Sequence, residues 1–454
     1  MRLSDYMAAR TSAAPLAVYR MIFGALMCFS MIRFWYKGWI EELYLLPEFH
    51  FHYSLFPFIE VPGSWTYALF FICGLSAFFV AVGYTYRLSI TIFFISFLYI
   101  ELMDKTTYLN HYYYVSCMAF LLLCMPAGSY FSIDAWRRAE RASDTVPRWC
   151  MDALKLMIVI VYFHAGLAKL NHDWLVRAMP LTLWLPAKTE MPILGSLLQH
   201  KWVHYAFSWG GAVYDLLIPL LLLMRGTRVF AFLMVVIFHV LTAVLFPIGM
   251  FPYLMIGSAL IFFSVSWHER LLERFSAWAS SYVSPREGGG TTASPILSVS
   301  KSSVMRGLSP YLVGVFLLFQ LILPLRSHLY GGSVYWHERG YRFSWRVMLM
   351  EKTGNAQFTI RDGQSGKQFL VQNEDFLTPL QQKHMATQPD FILEYGQYLG
   401  NHFASHGHQD VEVYVDSFVA FNGRKSQRFV RKDADLMDLN YVRLINHHII
   451  PLER

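Results

Sequence analysis

The chain has 454 residues, of which 55% are hydrophobic, 17% are aromatic and only 15% are charged. Soluble globular domains carry about 25% charged residues, so this composition excludes an ordinary soluble protein and indicates that lipid is part of the solvent. The formal net charge of +7 does not indicate a nucleic-acid-binding protein, because the basic residues collect in short segments between apolar runs. We therefore predict a membrane protein with no nucleic-acid partner.

Nine apolar runs are candidates for membrane-spanning helices, each of which needs about 20 mostly apolar residues. They lie at 14–31, 65–82, 88–103, 112–125, 154–168, 203–224, 229–246, 252–265 and 311–325. In this arrangement sixteen lysines and arginines lie at the loops and span ends of the N-terminal side, against seven on the other side. Basic residues favour the cytoplasmic face of a bilayer, so we expect a cytoplasmic N-terminus and a periplasmic or lumenal C-terminal domain.

The sequence divides into four segments. We expect a transmembrane helical bundle over residues 1–283, and a flexible inner-side linker over 284–309, which is rich in Gly, Ser and Pro. Residues 310–325 are predicted to form the last transmembrane helix, and 326–454 an extracytoplasmic α+β domain. The predicted fold class is thus a polytopic α-helical membrane bundle of about nine spans followed by a small α+β soluble domain.

The C-terminal domain shows the alternating pattern of β-hairpins. The predicted elements are strands at 357–361 and 367–371, a helix over 378–402, and strands at 411–415, 418–421 and 427–430, the last two joined across Asn422-Gly423. The last 300 residues contain no cysteine, which excludes a disulfide framework in this domain.

Ionisable side chains at membrane depth are costly and call for a functional hypothesis. Three segments contain them: 104–111, 164–174, and the run around His239. The simpler interpretations are an interfacial ion pair between Asp104 and Lys105, snorkelling of Lys169 to the headgroups, and a packing role for His239. No histidine pair has zinc-binding spacing with a third acidic ligand, so we predict no metal site.

The functional interpretation brings Lys169 and His111 together at the outer end of the bundle. A lysine desolvated there can act as a base, and a histidine beside it can donate a hydrogen bond or relay a proton. Gly166 and Gly249 would allow close approach of helices near these side chains.

Several motifs follow one another along the chain. They are Asp104-Lys105-Thr106-Thr107 with Asn110-His111, Val161-Tyr162-Phe163 with Ala165-Gly166, Lys169-Leu170 with Asp173-Trp174, Phe238-His239 with Ile248-Gly249-Met250-Phe251, Trp336 with Tyr341-Arg342-Phe343-Ser344-Trp345, and Ile360-Arg361-Asp362-Gly363. In this combination and order the chain resembles the vitamin K-dependent gamma-carboxylase family, also called the HTTM family. The resemblance extends over nearly the whole chain.

The resemblance implies a specific reaction. Members of the family hold reduced vitamin K, a hydroquinone, in the membrane, and a lysine takes a proton from it. Oxygen and carbon dioxide are co-substrates: the quinone leaves as its 2,3-epoxide, and a glutamate side chain of a protein or peptide substrate becomes gamma-carboxyglutamate. The expected enzyme is therefore a peptidyl-glutamate carboxylase that acts from within a lipid bilayer.

The resemblance also assigns residues. The catalytic lysine of the family falls on Lys169, and the histidine near the reacting groups falls on His111. The substrate-binding and quinone-binding positions fall on His239, Asn110, Phe251, Trp336, Tyr341, Ser344 and Trp345.

The chain departs from animal members at a few positions. Ala168 stands where they have a second lysine, Tyr108 replaces a tryptophan, His164 an aliphatic residue, and Gly340 a larger apolar residue. The tail is shorter and lacks the cysteine of their bundle-to-tail disulfide, which makes the chain similar to a short bacterial-type member. None of these departures touches Lys169.

Two other functions remain open from the sequence. One is a membrane oxidase that converts the quinone to its epoxide without carboxylating glutamate, and the other is a non-catalytic membrane scaffold. The presence of Lys169 with His111 argues against the scaffold. It does not separate the first two functions, since oxygenation of the quinone uses the same lysine.

Overall fold

The structure is a computed structural model that describes residues 3–282 and 305–453. Ten helices make up the bundle in these ranges. They are α1 (Ala14–Tyr36), α2 (Trp65–Val82), α3 (Tyr86–Met103), α4 (Asn110–Cys124), α5 (Arg148–Lys169), α6 (Lys201–Leu223), α7 (Arg228–Leu245), α8 (Phe251–Ala259), α9 (Val265–Tyr282) and α10 (Met305–Ile322). The predicted linker 284–309 lies for the most part outside the described residues.

All nine predicted apolar runs are helical, which confirms the helical bundle. Seven helices in the described ranges are long and apolar enough to cross a membrane, or eight if a bent helix pair forms one span. That pair joins α8 and its 3-10 extension to α9 with a bend of 115°. The length criterion therefore yields one or two fewer spans than the nine runs.

The fourth run accounts for one missing span, and the eighth run accounts for the other when the bent pair is not counted. Helix α4 has 15 residues and rises roughly 22 Å, which is short of a hydrocarbon core of about 30 Å. It nevertheless connects the two ends of the bundle. Asn110 at its start donates to the carbonyl of Arg346 near the C-terminal domain, and Leu122 near its end accepts from Tyr86 at the start of α3. Its buried faces pack against neighbouring helices, so lipid does not set its length.

Successive bundle helices run between two opposite ends. At one end, strands β1 (Arg10–Ser12) and β2 (Thr145–Pro147) pair antiparallel, and Ser12 donates to Glu269 of α9 at 2.9 Å. At the other end, the loops after α3 and α5 contact the C-terminal domain through Lys105 and Asp173. The N-terminus and the C-terminal domain therefore lie at opposite ends of the bundle.

The turn after α2 shows why one glycine is needed at the N-terminal end. Gly83 closes the helix with φ +67°, and a Cβ there would lie 1.7 Å from a guanidinium nitrogen of Arg20. Arg20 is fully buried in α1 and donates to the carbonyl of Phe131 at 2.6 Å. Only a residue without a side chain fits a left-handed backbone against this arginine.

The C-terminal domain is a four-stranded antiparallel sheet covered by helices. Its strands are β3 (Lys352–Arg361), β4 (Gln368–Leu370), β5 (Glu412–Phe421) and β6 (Gln427–Arg428), in the order β4-β3-β5-β6. Both predicted hairpins are confirmed, with Arg361 opposite Gln368 and Phe418 opposite Arg428. The long β3–β5 pairing between the hairpins was not predicted.

The predicted helix over 378–402 is wrong in one respect, because it is two helices. The first is Pro379–Met385 and the second is Pro389–Ser405. Pro389 cannot donate a backbone hydrogen bond within a continuous helix, so the chain breaks before it and a new helix begins. The second helix packs Phe391 and Tyr395 into the core of the domain.

The domain is joined to the bundle by apolar contacts and by buried ion pairs. Phe49 and Phe51, from the loop between α1 and α2, belong to the core of the domain. The Lys105 ammonium lies 2.5 Å from Glu394 and 3.1 Å from Asp390. The predicted ion pair between Asp104 and Lys105 is therefore wrong: Asp104 instead accepts from the backbone N–H of Thr106 at 2.7 Å.

Lys105→Met should destabilise the contact between domain and bundle. The substitution removes the cation that Asp390 and Glu394 share, while Asp390 keeps Arg342 at 2.8 Å, so we expect the loss of a charged hydrogen bond, about 1.5–3 kcal/mol. We expect a lower thermal midpoint in detergent and faster proteolytic release of the domain. Lys383→Met is the matched control, because Lys383 is exposed and forms no ion pair with a residue that the structure describes, and it should change stability by less than about 0.5 kcal/mol.

The same cluster should make the protein sensitive to acid. Burial alone would raise the pKa of Asp390, but Arg342 and Lys105 hold the pKa well below its usual range. A carboxyl group with a depressed folded-state pKa stabilises the fold above its unfolded pKa of about 4 and loses this contribution as the pH falls further. When the pH is lowered below about 4, we expect the thermal midpoint of the wild-type protein to fall. In Lys105→Met the thermal midpoint should fall less steeply with pH. Equal pH profiles for both proteins would contradict this assignment.

Candidate functional site

A deep apolar cleft opens between α5, α6, α7 and α8. The empty space in the cleft, including the open space at its mouth, is about 800 Å³. Its walls are mostly aliphatic and aromatic. The lining residues are Val161, Tyr162, Ala165, Lys169, Trp174, Leu181, Trp184, Phe207, Gly211, Asp215, Phe238, His239, Thr242, Phe246, Ile248, Phe251, Met255, Val347 and Met348.

An ion pair lies in the wall of this cleft. Lys169 is the last residue of α5, and its Nζ donates to Oδ2 of Asp215 on α6 at 2.5 Å. The ammonium also lies 5.4 Å from the centre of the Trp174 ring. Both charged residues are more than nine-tenths buried, so the lysine does not snorkel to the headgroups. A buried lysine with a single carboxylate partner can exchange a proton along that hydrogen bond, because a neutral pair needs less solvation than an ion pair.

Gly166 sets the spacing between α5 and α6 one helical turn before Lys169. A Cβ at Gly166 would lie 2.7 Å from the Leu216 side chain and 3.1 Å from its backbone nitrogen. The predicted role of Gly166 in close helix approach agrees with this geometry. Gly249 has a different role: it adopts φ +62° in the turn before α8.

Gly166→Val should therefore push α5 away from α6 and disturb the Lys169–Asp215 hydrogen bond. Overpacking of this kind costs about 1–3 kcal/mol. We expect a lower thermal midpoint together with lower activity. Gly210→Val on α6 is the control, since a Cβ there meets no atom within 4 Å. Equal activity of the two variants would contradict the spacing role.

His239 occupies the wall formed by α7. Its Nε2 lies 2.9 Å from the Tyr162 hydroxyl, which in turn lies 3.5 Å from the Tyr214 hydroxyl. Its Nδ1 is buried and has no hydrogen-bond partner. Buried polar atoms are normally paired, so this nitrogen is an unsatisfied group in a residue of the cleft wall.

His111 does not line the cleft, and the predicted convergence with Lys169 is indirect. Its ring centre lies 6.1 Å from that of Phe251, which itself lies 5.5 Å from His239. The partner of Lys169 is Asp215 instead. Phe251 thus connects the two histidines, and the catalytic role of His111 stays a prediction.

A short strap, residues 341–348, passes between the cleft and the C-terminal domain. Phe343, Trp345 and Met348 all have positive φ, which is strained for residues with side chains. Trp345 stacks on Tyr113 of α4 with ring centres 4.9 Å apart. The strap therefore holds a strained backbone against the bundle, and its last two residues reach the lining of the cleft.

The residues predicted to bind substrate occupy different places around the strap. Asn110 donates to the backbone carbonyl of Arg346 at 2.8 Å, and the Tyr341 hydroxyl donates to the same oxygen at 3.3 Å. The Ser344 hydroxyl donates to the Tyr341 carbonyl. Trp336 lies in the core of the domain, where its indole N–H donates to Ile450. Of the predicted site residues, only Lys169, His239 and Phe251 line the cleft.

Asp215 is the main residue that sequence reasoning missed. It lies within the predicted span 203–224, and an acid in an apolar run is a signal in its own right. Tyr162 belongs to one of the sequence motifs shared with the family, but the sequence predicted no role for it. Val347 and Met348 carry no chemical signal, since only the fold brings them to the cleft.

No metal centre is evident in the part of the chain that the structure describes. No group of three or more His, Cys, Asp or Glu side chains is placed there to hold a metal ion. Polar groups in the cleft wall are few, and apolar and aromatic surface predominates. The arrangement therefore suits an apolar, planar ligand that exchanges a proton with a basic side chain.

Two family models match the chain. The HTTM domain model matches residues 9–267, which is more than half of the sequence, and the model of the vitamin K-dependent gamma-carboxylase lumenal domain matches residues 306–454. No solved structure matches the chain. The first match ends within α9 and the second begins at the start of α10, so residues 268–305 belong to neither match.

Proposed function

The chain belongs to the vitamin K-dependent gamma-carboxylase family, and we propose that it carboxylates peptidyl glutamate to gamma-carboxyglutamate. The proposed cofactor is reduced vitamin K, with carbon dioxide and oxygen as co-substrates and the quinone 2,3-epoxide as by-product. The observation that carries the proposal is the buried Lys169–Asp215 pair in the wall of a large apolar cleft.

The cleft fits a hydroquinone. Its aromatic walls, such as Phe238 and Phe246, suit a flat ring, and the rest of its lining is predominantly apolar. The unpaired Nδ1 of His239 can hydrogen-bond one oxygen of such a ring. A lipid-soluble cofactor can reach these helices from the bilayer, which a water-soluble cofactor cannot.

The bound hydroquinone supplies reducing electrons and, with oxygen, the strong base that the γ-proton of glutamate requires. Lys169 accepts a proton at Nζ, for which it must first be neutral. Asp215 makes this possible by taking the proton of the Lys169 ammonium and holding it at Oδ2, 2.5 Å from Nζ. The pair acts as one unit with one exchangeable proton, in a site whose apolar walls exclude water.

The other proposed residues have positioning roles. His239 orients the quinone, with its Nε2 held by Tyr162. Phe251 fills the space between His239 and His111. Asn110, Tyr341, Ser344 and Trp345 act on the peptide side through the strap. Trp336 acts indirectly, because it supports the core of the domain that carries the peptide.

The proposed topology places the N-terminus in the cytoplasm and the C-terminal domain in a periplasm or lumen. The excess of basic residues at the N-terminal end and the match to a lumenal domain model support it. Lys432→Cys, at an exposed position, should react with a membrane-impermeant maleimide added outside intact cells. Labelling only after the membrane is broken would reverse the topology.

The test is an assay of the purified protein with vitamin K hydroquinone, labelled carbon dioxide and a glutamate-containing peptide. We expect label in the peptide together with quinone epoxide, and no label in a glutamine-containing peptide. Epoxide without label in the peptide would establish the alternative, a quinone epoxidase. Absence of both products would favour a non-catalytic scaffold.

A further inference from the structure

Arg346 is a buried cation that has no acidic partner among the described residues. It lies in the strap and is 7% exposed. One terminal nitrogen donates to the Tyr335 hydroxyl and the other to the Ser327 hydroxyl, each at 2.8 Å. Its Nε has no acceptor. None of the side-chain carboxylates that the structure describes lies within 4.0 Å of it.

Burial of this charge is unfavourable without an anion. Two neutral hydroxyls and the Tyr335 ring, 5.1 Å from the guanidinium carbon, compensate for only part of the lost hydration. Arg326 directly precedes Ser327, whose hydroxyl accepts from Arg346, so the two arginines lie in the same region of the fold. Arg326 donates to the carbonyls of Leu323 and Arg342, and also forms no ion pair with a described residue. Two guanidinium groups therefore create a positive region that the protein leaves unneutralised.

This region adjoins the cleft. The Tyr335 hydroxyl that accepts from Arg346 donates in turn to the carbonyl of Ala168 at 2.6 Å. Two hydrogen bonds in series thus connect the guanidinium to the residue before Lys169. On the other side, Arg346 is followed directly by Val347 and Met348, which line the cleft. The unneutralised charge lies at the junction of cleft, strap and domain.

We propose that Arg346 is the carboxylate-binding group for the glutamate side chain of the peptide, with Arg326 strengthening the local positive potential. The inference rests on the proposed function for the identity of the ligand. A guanidinium binds a carboxylate through paired hydrogen bonds, and the orphan Nε supplies one of the two donors. Once the γ-proton is removed, charge delocalises onto the same carboxylate oxygens, so the arginine also stabilises the carbanion.

The test compares a glutamate-containing peptide with its glutamine counterpart in binding to the full chain in detergent. Wild-type protein should prefer the glutamate peptide, and Arg346→Gln should lose this preference by about 10- to 100-fold, as for a hydrogen bond to a charged group. Arg346→Lys keeps the positive charge but lacks the paired N–H donors of a guanidinium, so it should retain part of the preference for the glutamate peptide.

Arg361→Gln is the matched control, because Arg361 lies in the same domain and is paired with Glu412 at 3.1 Å. It should leave the preference unchanged. If Arg346 has only a structural role, Arg346→Gln should have a lower thermal midpoint and should bind both peptides more weakly by the same factor. An unchanged preference in Arg346→Gln, or no preference in wild-type protein, overturns the subsite.

The labelled-carbon-dioxide assay separates this inference from the proposed function. If wild-type protein selects the glutamate peptide through Arg346 but incorporates no label, the proposed carboxylase function is wrong and the proposed carboxylate subsite is supported. If wild-type protein incorporates label and Arg346→Gln has an unchanged KM for the peptide, the subsite fails and the carboxylase stands.

Discussion

Lys169→Ala should lower the turnover of both hydroquinone oxidation and peptide carboxylation by about 10²- to 10⁴-fold, the usual contribution of a positioned general base. The lysine Nζ is the proposed base in the wall of the cleft, and alanine has no group to accept a proton there. The affinity for the peptide should change little, because the carboxylate subsite lies in the strap. Parallel assays of epoxide and of labelled peptide measure the effect.

Rescue by a small amine tests the base role directly. The substitution leaves a space that an added alkylamine can enter, so activity should return in proportion to the free-amine concentration and rise with pH. Lys201→Ala is the control, since Lys201 is exposed at the start of α6, the helix that carries Asp215. Full activity of Lys169→Ala without added amine would reject the assignment.

Asp215→Asn should have the second large effect, on both stability and activity. The amide cannot neutralise the buried ammonium of Lys169, and removing one partner of a buried ion pair costs about 3–5 kcal/mol. The amide also cannot take the proton that Lys169 must lose before it acts as a base. We expect a strongly lowered thermal midpoint in detergent and a turnover lower by at least about 10²-fold.

A double substitution separates stability from chemistry. Lys169→Met combined with Asp215→Leu removes both charges and replaces them with apolar side chains, which is often neutral or stabilising at buried pairs. The thermal midpoint should return to that of the wild-type protein or exceed it, while activity stays absent. If Asp215→Asn alone is fully stable and active, the pair has no role in holding the proton.

The layout of the chain was predictable because it depends on local composition. Apolar runs must become helices in lipid, where each backbone polar group needs an internal partner, and all nine runs are helical. The two hairpins follow from alternation and turn residues, and both were found at the predicted positions in the chain. The break at Pro389 was also readable, because proline lacks the backbone donor of a continuous helix.

The residues of the site were predictable in kind but not in arrangement. Lys169 and His239 stood out from the sequence because ionisable groups at membrane depth are rare. The choice of Asp215 as the partner of Lys169 depends on how α5 and α6 cross at Gly166, which no local pattern encodes. The same holds for His111, which contacts Phe251 rather than the lysine.

The sequence by itself thus determined that this protein spans a membrane, carries a C-terminal α+β domain and resembles the vitamin K-dependent gamma-carboxylase family. The tertiary structure decided that the carboxylate of Asp215 neutralises Lys169. It also decided that Arg346 has no carboxylate partner among the described residues. The physical reason is the range of the interactions. Hydrophobicity, turn chemistry and helix breaking act over a few residues, whereas the 2.5 Å contact between Lys169 and Asp215 joins residues 46 positions apart.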